Sequence, residues 1–305
     1  EKEISQISKN LEIDIAVDLM GFTKNNKFGI FLEKCAPIQI NFLGYPGTLG
    51  TNLIDYIVAD KTLIPNGEEI NYSEKIIYLP DTYQCNDSKK EISKKRFLRK
   101  DFNLPEDKFI FCCFNQKYKF NPQTTKIWIN VMKKVNNSVL WLLDDENEST
   151  YNLVEEFKLG GLNSSRIIFS KKLPLDEHLA RHKLADLFLD TFPYGAHTTA
   201  SDSLWSGLPL ITKIGDTFAS RVAASLLKAI GLDELITIND EQYINLAIEL
   251  ANNPKKLDFI QNKLCTNIKT KPLFDTKKFT KNLERGFYLA NKRYLENLPA
   301  ENIEV

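Results

Sequence analysis

With 305 residues, 43% of them hydrophobic, the chain is long enough for two domains of ordinary size and apolar enough for a core in each. Forty Lys and Arg balance forty Asp and Glu, so no net field draws the chain to nucleic acid or to an acidic membrane, and neither is expected as a partner. The longest apolar runs, such as Phe109-Ile-Phe-Cys-Cys-Phe114, have strand length and fall short of a bilayer span. Five cysteines, at 35, 85, 112, 113 and 265, are odd in number and fit neither a disulfide framework nor zinc spacing. They point to a reduced, cytoplasmic compartment. Residue 1 is Glu and the opening has no signal-peptide character, so a chain cut from something longer is expected.

In chain order, apolar β-rich runs at 13–19, 38–43, 56–59 and 75–79 read as parallel strands of a first lobe, residues 1–85. Gly44-Tyr-Pro-Gly-Thr48 follows the second run as a tight turn whose glycines let backbone approach a ligand, with Gly44 and Pro46 as candidate binding residues. An ordinary turn is the alternative. Residues 86–100 are polar and lysine-rich and read as a linker with a short helix.

Residues 101–275 then alternate. Strands are expected at 109–114, 139–143, 166–169, 186–190 and 208–211, and helices at 122–135, 152–159, 176–183, 199–206 and 218–230. Such alternation predicts a doubly wound parallel sheet with its ligand at the carboxyl ends of the strands. Helical periodicity continues at 241–252 and 277–294, and residues 276–305 are expected to pack back on the first lobe. No dinucleotide fingerprint and no Walker loop occurs. Two α/β lobes joined by a linker suggest a cleft enzyme.

The most informative segment is Asp190-Thr-Phe-Pro-Tyr-Gly-Ala-His197-Thr198-Thr199-Ala-Ser-Asp202, where a buried strand stops at hydroxyl residues that open a helix. Unpaired N–H groups and the positive end of the helix dipole meet at Thr198 and Thr199, and His197 adds a further donor. That combination suits a departing diphosphate; a plain N-cap is the structural alternative. Gln116-Lys-Tyr-Lys119 follows the strand at 109–114, from where Lys119 reaches a phosphate as a point charge. His178 and Arg181 share one helix face and suit a heterocyclic base, while Asp202 suits ribose hydroxyls. For His178 and Arg181 the alternative is a capped helix with solvated charges, and for Asp202 it is acidic decoration of a first helical turn. Asp144-Asp145 at a strand end reads as a solvated loop rather than a metal site, and no metal is expected.

On these motifs the chain resembles the catalytic region of the O-linked N-acetylglucosamine transferase and SPINDLY family. The likeness is carried by Ala36-Pro-Ile-Gln-Ile-Asn-Phe-Leu-Gly44-Tyr-Pro-Gly-Thr48, Phe114-Asn-Gln116-Lys-Tyr-Lys119, Ser138-Val-Leu-Trp-Leu-Leu143, Arg166-Ile-Ile-Phe-Ser170, His197-Thr-Thr199 with Asp202-Ser-Leu-Trp-Ser-Gly207, and Thr217-Phe-Ala-Ser-Arg-Val-Ala-Ala-Ser225. The resemblance implies the α/β GT-B fold, two Rossmann-like doubly wound lobes facing a cleft, here with the first lobe incomplete. It also implies inverting, metal-independent transfer of N-acetylglucosamine from a UDP-sugar to Ser or Thr hydroxyls of a protein or peptide acceptor, with no cofactor. Gln116, Lys119, His197, Thr198 and Thr199 would surround the diphosphate, with Lys119 and His197 catalytic; His178 and Arg181 would lie at the uracil and Asp202 at the ribose. Tetratricopeptide repeats and a histidine near the acceptor site are expected upstream. Leu175 departs from the animal enzymes, which carry a nucleotide-contacting lysine there, and their insertion between the lobes is missing. GDP-fucose O-transfer, UDP-hexose transfer to Asn, and a nucleotide-sugar-binding module without turnover are the alternatives.

Overall fold

The computed structural model describes residues 1–144 and 148–305. They divide into two compact units, one of Glu1–Asn86, Thr217–Ala219 and Asp275–Val305, the other of Asp87–Asp216 and Ser220–Phe274. In chain order the elements are α1 (Lys2–Asn10), β1 (Ile15–Asp18), α2 (Gly29–Leu32), β2 (Ile38–Asn41), β3 (Tyr56–Ala59) and β4 (Lys75–Tyr78). Then come β5 (Phe109–Cys113), α3 (Pro122–Lys134), β6 (Ser138–Leu143), α4 (Glu148–Leu159), β7 (Ile167–Ser170), α5 (Leu175–Arg181), β8 (Leu187–Leu189), α6 (Thr198–Trp205) and β9 (Leu210–Lys213). The remainder is α7 (Phe218–Ala229), β10 (Ile236–Thr237), α8 (Asp240–Asn252), α9 (Pro254–Thr270), α10 (Thr276–Leu295) and β11 (Ile303–Glu304).

The first unit is built on a parallel sheet of order β1-β2-β3-β4-β11. Alternate residues share a face in a strand, so Ile38 and Ile40, Tyr56 and Val58, and Ile77 join one core, closed by Phe279 and Ala290 of α10 and Ile303 of β11. The other face of β2 carries Gln39, wholly buried and fully bonded. Its amide oxygen accepts from Cys35 N at 3.0 Å, and its nitrogen donates to the carbonyls of Phe31 and Leu53 at 3.1 and 2.7 Å. Burial of that amide is tolerated because its polar atoms are paired.

The second unit carries a parallel sheet of order β10-β9-β8-β5-β6-β7. Strands β5, β6 and β8 are buried along almost their whole length, which explains their unbroken apolar runs. The chain runs outward from β5 through β6 to β7, then returns to place β8 on the other flank of β5. Strand order therefore reverses between β5 and β8, the place where doubly wound sheets open a ligand crevice at the carboxyl ends.

Helix starts follow their caps. Asn121, Asn239, Asn253 and Asp275 each accept a backbone N–H of the first turn of α3, α8, α9 and α10. Helix α9 was not anticipated from sequence. It follows α8 after a single residue, Asn253, and its buried Leu257, Ile260 and Leu264 are thinly spaced among polar residues. Strands β10 and β11 have two residues each, too few to display a period of two. Helix α1 buries only Ser5, so no core pattern betrays it. Of residues 86–100, expected as linker, Asn86 is counted with the first unit and 87–100 with the second. Among the described residues no helix is long and apolar enough to cross a membrane.

Candidate functional site

The carboxyl ends of β5 and β8 carry the segments that the sequence singled out. After β5 come Asn115, exposed Gln116 and a single 3-10 turn, Lys117–Lys119, before α3. After β8 the chain passes through residues 190–197 to α6. Asn115 is buried and ties the two loops, its nitrogen donating to Thr191 Oγ1 at 2.9 Å and Asp190 Oδ1 at 3.3 Å. Its oxygen accepts from the Thr199 hydroxyl.

Asp190, wholly buried, organises the second loop. Its Oδ1 accepts from the backbone N–H groups of Thr191 and Ala196, each at 2.7 Å, and its Oδ2 accepts from Thr212 Oγ1 at 2.7 Å. Burial raises the pKa of this carboxyl, and those hydrogen bonds pull it back.

Lys119 points its ammonium into the same place. Nζ donates to Gly195 O at 2.8 Å and stands 4.1 Å from the centre of the Tyr194 ring, which in turn packs on His197 with ring centres 5.1 Å apart. Burial lowers the Lys119 pKa from its ordinary value, and the charge of Asp190 opposes that. Helix α6 begins at Thr198 with His197 in the capping position, where its side chain makes no cap bond. Ala200 N and Ser201 N both donate to His197 O, at 3.0 and 3.1 Å, so the N–H groups of Thr198 and Thr199 precede the first intrahelical bonds. The Thr199 hydroxyl is directed to Asn115, whereas Thr198 is exposed. Gln116 and Lys119, after β5, and His197, Thr198 and Thr199, at the start of α6, thus lie on segments joined by direct contacts at the crevice position.

His178 and Arg181, one helical turn apart on α5, reach this region through Phe114. The His178 ring centre lies 5.2 Å from that of Phe114, and the Arg181 guanidinium sits 4.7 Å from it. Arg181 is wholly buried and lies behind His178. It donates to Lys171 O at 2.8 Å, and its second terminal nitrogen meets His178 Nδ1. Burial, with the neighbouring His182 and Arg181 charges, pushes the His178 pKa down to about 2. Arg181 donating to Nδ1 leaves the proton of the neutral ring on Nε2, making His178 a neutral N–H donor. Burial also lowers Arg181 to about 10 and His182 to about 4.

Asp202, 5% exposed on α6, pairs with Lys90 at 2.6 Å, and Trp205 Nε1 donates to Lys90 O at 2.9 Å. The lysine-rich interval therefore supplies a partner to a candidate site residue. Gly44 and Pro46 belong to the first unit, where Gly44 N donates to Phe42 O at 3.0 Å. A Cβ on Gly44 would stand 2.1 Å from Leu19 O, so the loops after β1 and β2 touch backbone to backbone. Asp144 accepts from Thr150 Oγ1 at 3.1 Å; Asp145 lies outside the described residues. Among the described residues no group of three or more His, Cys, Asp or Glu is gathered as for a metal ion.

Sequence reasoning gave Asn115, Asp190 and Tyr194 no role of their own within the segments it singled out, and left Lys90 in the linker. The available signal was polarity just past the apolar runs, since a buried strand that ends in Asp or Asn must find partners for it.

The profile of glycosyl transferase family 41 matches residues 2–98 and 94–283. A probable UDP-N-acetylglucosamine–peptide N-acetylglucosaminyltransferase SEC of Arabidopsis thaliana is 40% identical over 291 residues, covering 93% of this chain and 30% of the relative. A probable UDP-N-acetylglucosamine–peptide N-acetylglucosaminyltransferase SPINDLY of Petunia hybrida is 31% identical over 306 residues, covering 97% of this chain and 32% of the relative. Among solved structures, a mutant O-GlcNAc transferase of Thermobaculum terrenum aligns with a TM-score of 0.85 at 26% identity, covering 94% of this chain and 54% of that one. The chain spans about a third of the length of these curated relatives.

Proposed function

We propose, for a chain that belongs to glycosyl transferase family 41 and has the GT-B fold, that its second unit binds a UDP-sugar for inverting transfer of N-acetylglucosamine to Ser or Thr hydroxyls of proteins. The names of the relatives support a UDP-N-acetylglucosamine donor and a peptide acceptor over a GDP-fucose donor or a module without turnover. Because the chain spans about a third of those relatives, the activity of the whole protein, its acceptors, any tetratricopeptide repeats and a cytoplasmic location are parts of this proposal.

One observation carries it. At the strand-order reversal, where doubly wound sheets hold phosphate, Lys119 Nζ is bonded to Gly195 O, two residues before the His197 cap of α6, whose first N–H groups precede the intrahelical bonds. In the reaction the acceptor oxygen bonds to the anomeric carbon as the bond from that carbon to the β-phosphate oxygen breaks. UDP leaves with the electron pair, and the acceptor's hydroxyl proton is released to solvent. Lys119, His197 and the α6 amides stabilise charge that grows on the diphosphate, without a metal. His178, as a neutral Nε2–H donor, suits a carbonyl of uracil, with Arg181 holding the ring from behind. Asp202 with Lys90 suits the ribose, and Gln116 the phosphates. On the first unit, Gly44 and Pro46 are assigned to ligand contact from the turn after β2, where Gly44 is packed against Leu19 O.

The test is Lys119→Met. Stabilisation confined to the transition state predicts a turnover loss of roughly 100-fold or more with a much smaller change in UDP affinity. UDP binding by calorimetry should be equal in EDTA and in magnesium. Full turnover by a folded Lys119→Met protein, or UDP binding that needs magnesium, refutes the reading.

A further inference from the structure

The peptide bond between Gly195 and Ala196 is held at both ends by opposite charges. Its N–H, on Ala196, donates to Asp190 Oδ1 at 2.7 Å; its carbonyl, on Gly195, accepts from Lys119 Nζ at 2.8 Å. The peptide dipole is thus aligned with its positive end on the carboxylate and its negative end on the ammonium, an arrangement in which each bond polarises and strengthens the other. We propose that Asp190 is the counter-charge of Lys119, acting through the Gly195–Ala196 peptide to keep that ammonium protonated and aimed at the mouth of the strand-order reversal.

Asp190 is a positioning residue. Its oxygens are taken by Thr191 N, Ala196 N, Thr212 Oγ1 and Asn115 Nδ2, and it is wholly buried, so it does not touch a ligand. The other ionisable groups around Lys119 do not supply the charge. Cys113, on β5, is kept a neutral thiol by burial, which raises its pKa. Tyr194 presents its ring face to the ammonium, His197 packs on that ring with centres 5.1 Å apart, and Lys117 lies on the same turn as Lys119. Burial lowers the Lys119 pKa and the Asp190 charge raises it, the expected sign for this arrangement. A second consequence follows for geometry. The carboxylate that sets the charge also shapes residues 191–196, so ammonium and α6 entrance are registered by one group.

The importance of this pair for catalysis rests on the reading of Lys119 as the partner of the diphosphate, but its test does not. Competitive acetylation of lysines with acetic anhydride across pH, read by mass spectrometry without donor or acceptor, yields the apparent pKa of Lys119 directly. Asp190→Asn is expected to lower it by about one unit, the smaller end of what an adjacent opposite charge contributes. Thr212→Val, which removes a bond to Asp190 but no charge, should leave it unchanged. Equal values in the wild type and Asp190→Asn overturn the proposal, as do equal shifts in both variants. Should Asp190→Asn not fold, the reciprocal arm decides. Lys119→Met must raise the Asp190 pKa, followed by carboxyl carbon NMR, and an unmoved titration overturns the proposal equally. Failure of UDP to bind the wild type would remove the function and leave these titrations as they are.

Discussion

Thr199→Val exchanges a hydroxyl for a methyl at nearly constant volume, and the structure says where the loss is felt. The hydroxyl donates to Asn115 Oδ1, on a residue 1% exposed whose nitrogen is already committed to Thr191 and Asp190. Valine leaves that amide oxygen buried without its donor, a cost of about 1–3 kcal/mol. Helix propensity does not offset it, since Thr and Val rank together. With a urea slope of ~2 kcal/mol per molar, a central cost of ~2 kcal/mol moves the unfolding midpoint down by about 1 M. Tryptophan fluorescence reads the right unit, because Trp128, Trp141 and Trp205 all fall within Asp87–Asp216. Thr199→Ser keeps the hydroxyl and should stay near the wild type. UDP affinity should fall less than tenfold in the valine variant, because the backbone N–H remains. An unmoved midpoint together with a large loss of UDP affinity would mean that the hydroxyl serves the ligand and not Asn115.

Acidification should destabilise the second unit. The pKa values of His178 and His182 lie at about 2 and 4 in the folded chain, below the ordinary 6.5, so the unfolded state takes up protons first. Their contribution is complete above pH 6.5 and is lost as pH falls, at up to about 1.4 kcal/mol per pH unit for each ring; a urea midpoint that holds or rises between pH 6.5 and 5.5 contradicts this. Lys90→Met strands the Asp202 carboxylate, 8% of whose side chain is exposed, and should cost about 3 kcal/mol, most of it recovered in the double variant with Asp202→Asn. Equal stability of single and double variants, measured by urea unfolding, counts against the pair. Gly44→Ala drives a methyl onto the Leu19 carbonyl and should destabilise the first unit by roughly 1–3 kcal/mol, visible as faster hydrogen exchange at the ends of β1 and β2. Unchanged exchange there means the loops part easily.

The strands and the crevice were legible for one reason. Parallel strands covered on both faces leave unbroken apolar runs, and the abrupt end of such a run at Asp190, followed by His197-Thr198-Thr199, marks a coming helix start whatever the rest of the fold. What stayed hidden depends on partners distant in sequence. Nothing near Asp190 announces Asn115, 75 residues away, and nothing near Asp202 announces Lys90, 112 residues away. Spacing correctly put His178 and Arg181 on one face of α5, but it does not say which of them lies inward. The guanidinium packs against Phe114 and Trp141 because both rings offer a face to a delocalised cation. Asn253-Pro254 is a legible helix start, yet α8 ends beside it and two short periodic stretches blur into one.

The first sheet is made of two stretches of chain far apart in time as well as in sequence. Strand β4 is synthesised early, but its neighbour β11 pairs through Ile77 with Ile303 and Tyr78 with Glu304, and Phe279 stacks on Phe42 from the same late stretch. The ribosome must therefore deliver about two hundred further residues, some tens of seconds at the slower rates of synthesis, before that side of the sheet is closed. Until then β4 is an open edge above a half-covered apolar face, the kind of surface that recruits strands from other chains. Residues 87–274, uninterrupted but for 217–219, are free to fold first. The second unit is then born complete while the first waits, and chaperone dependence should track the emergence of residues 275–305.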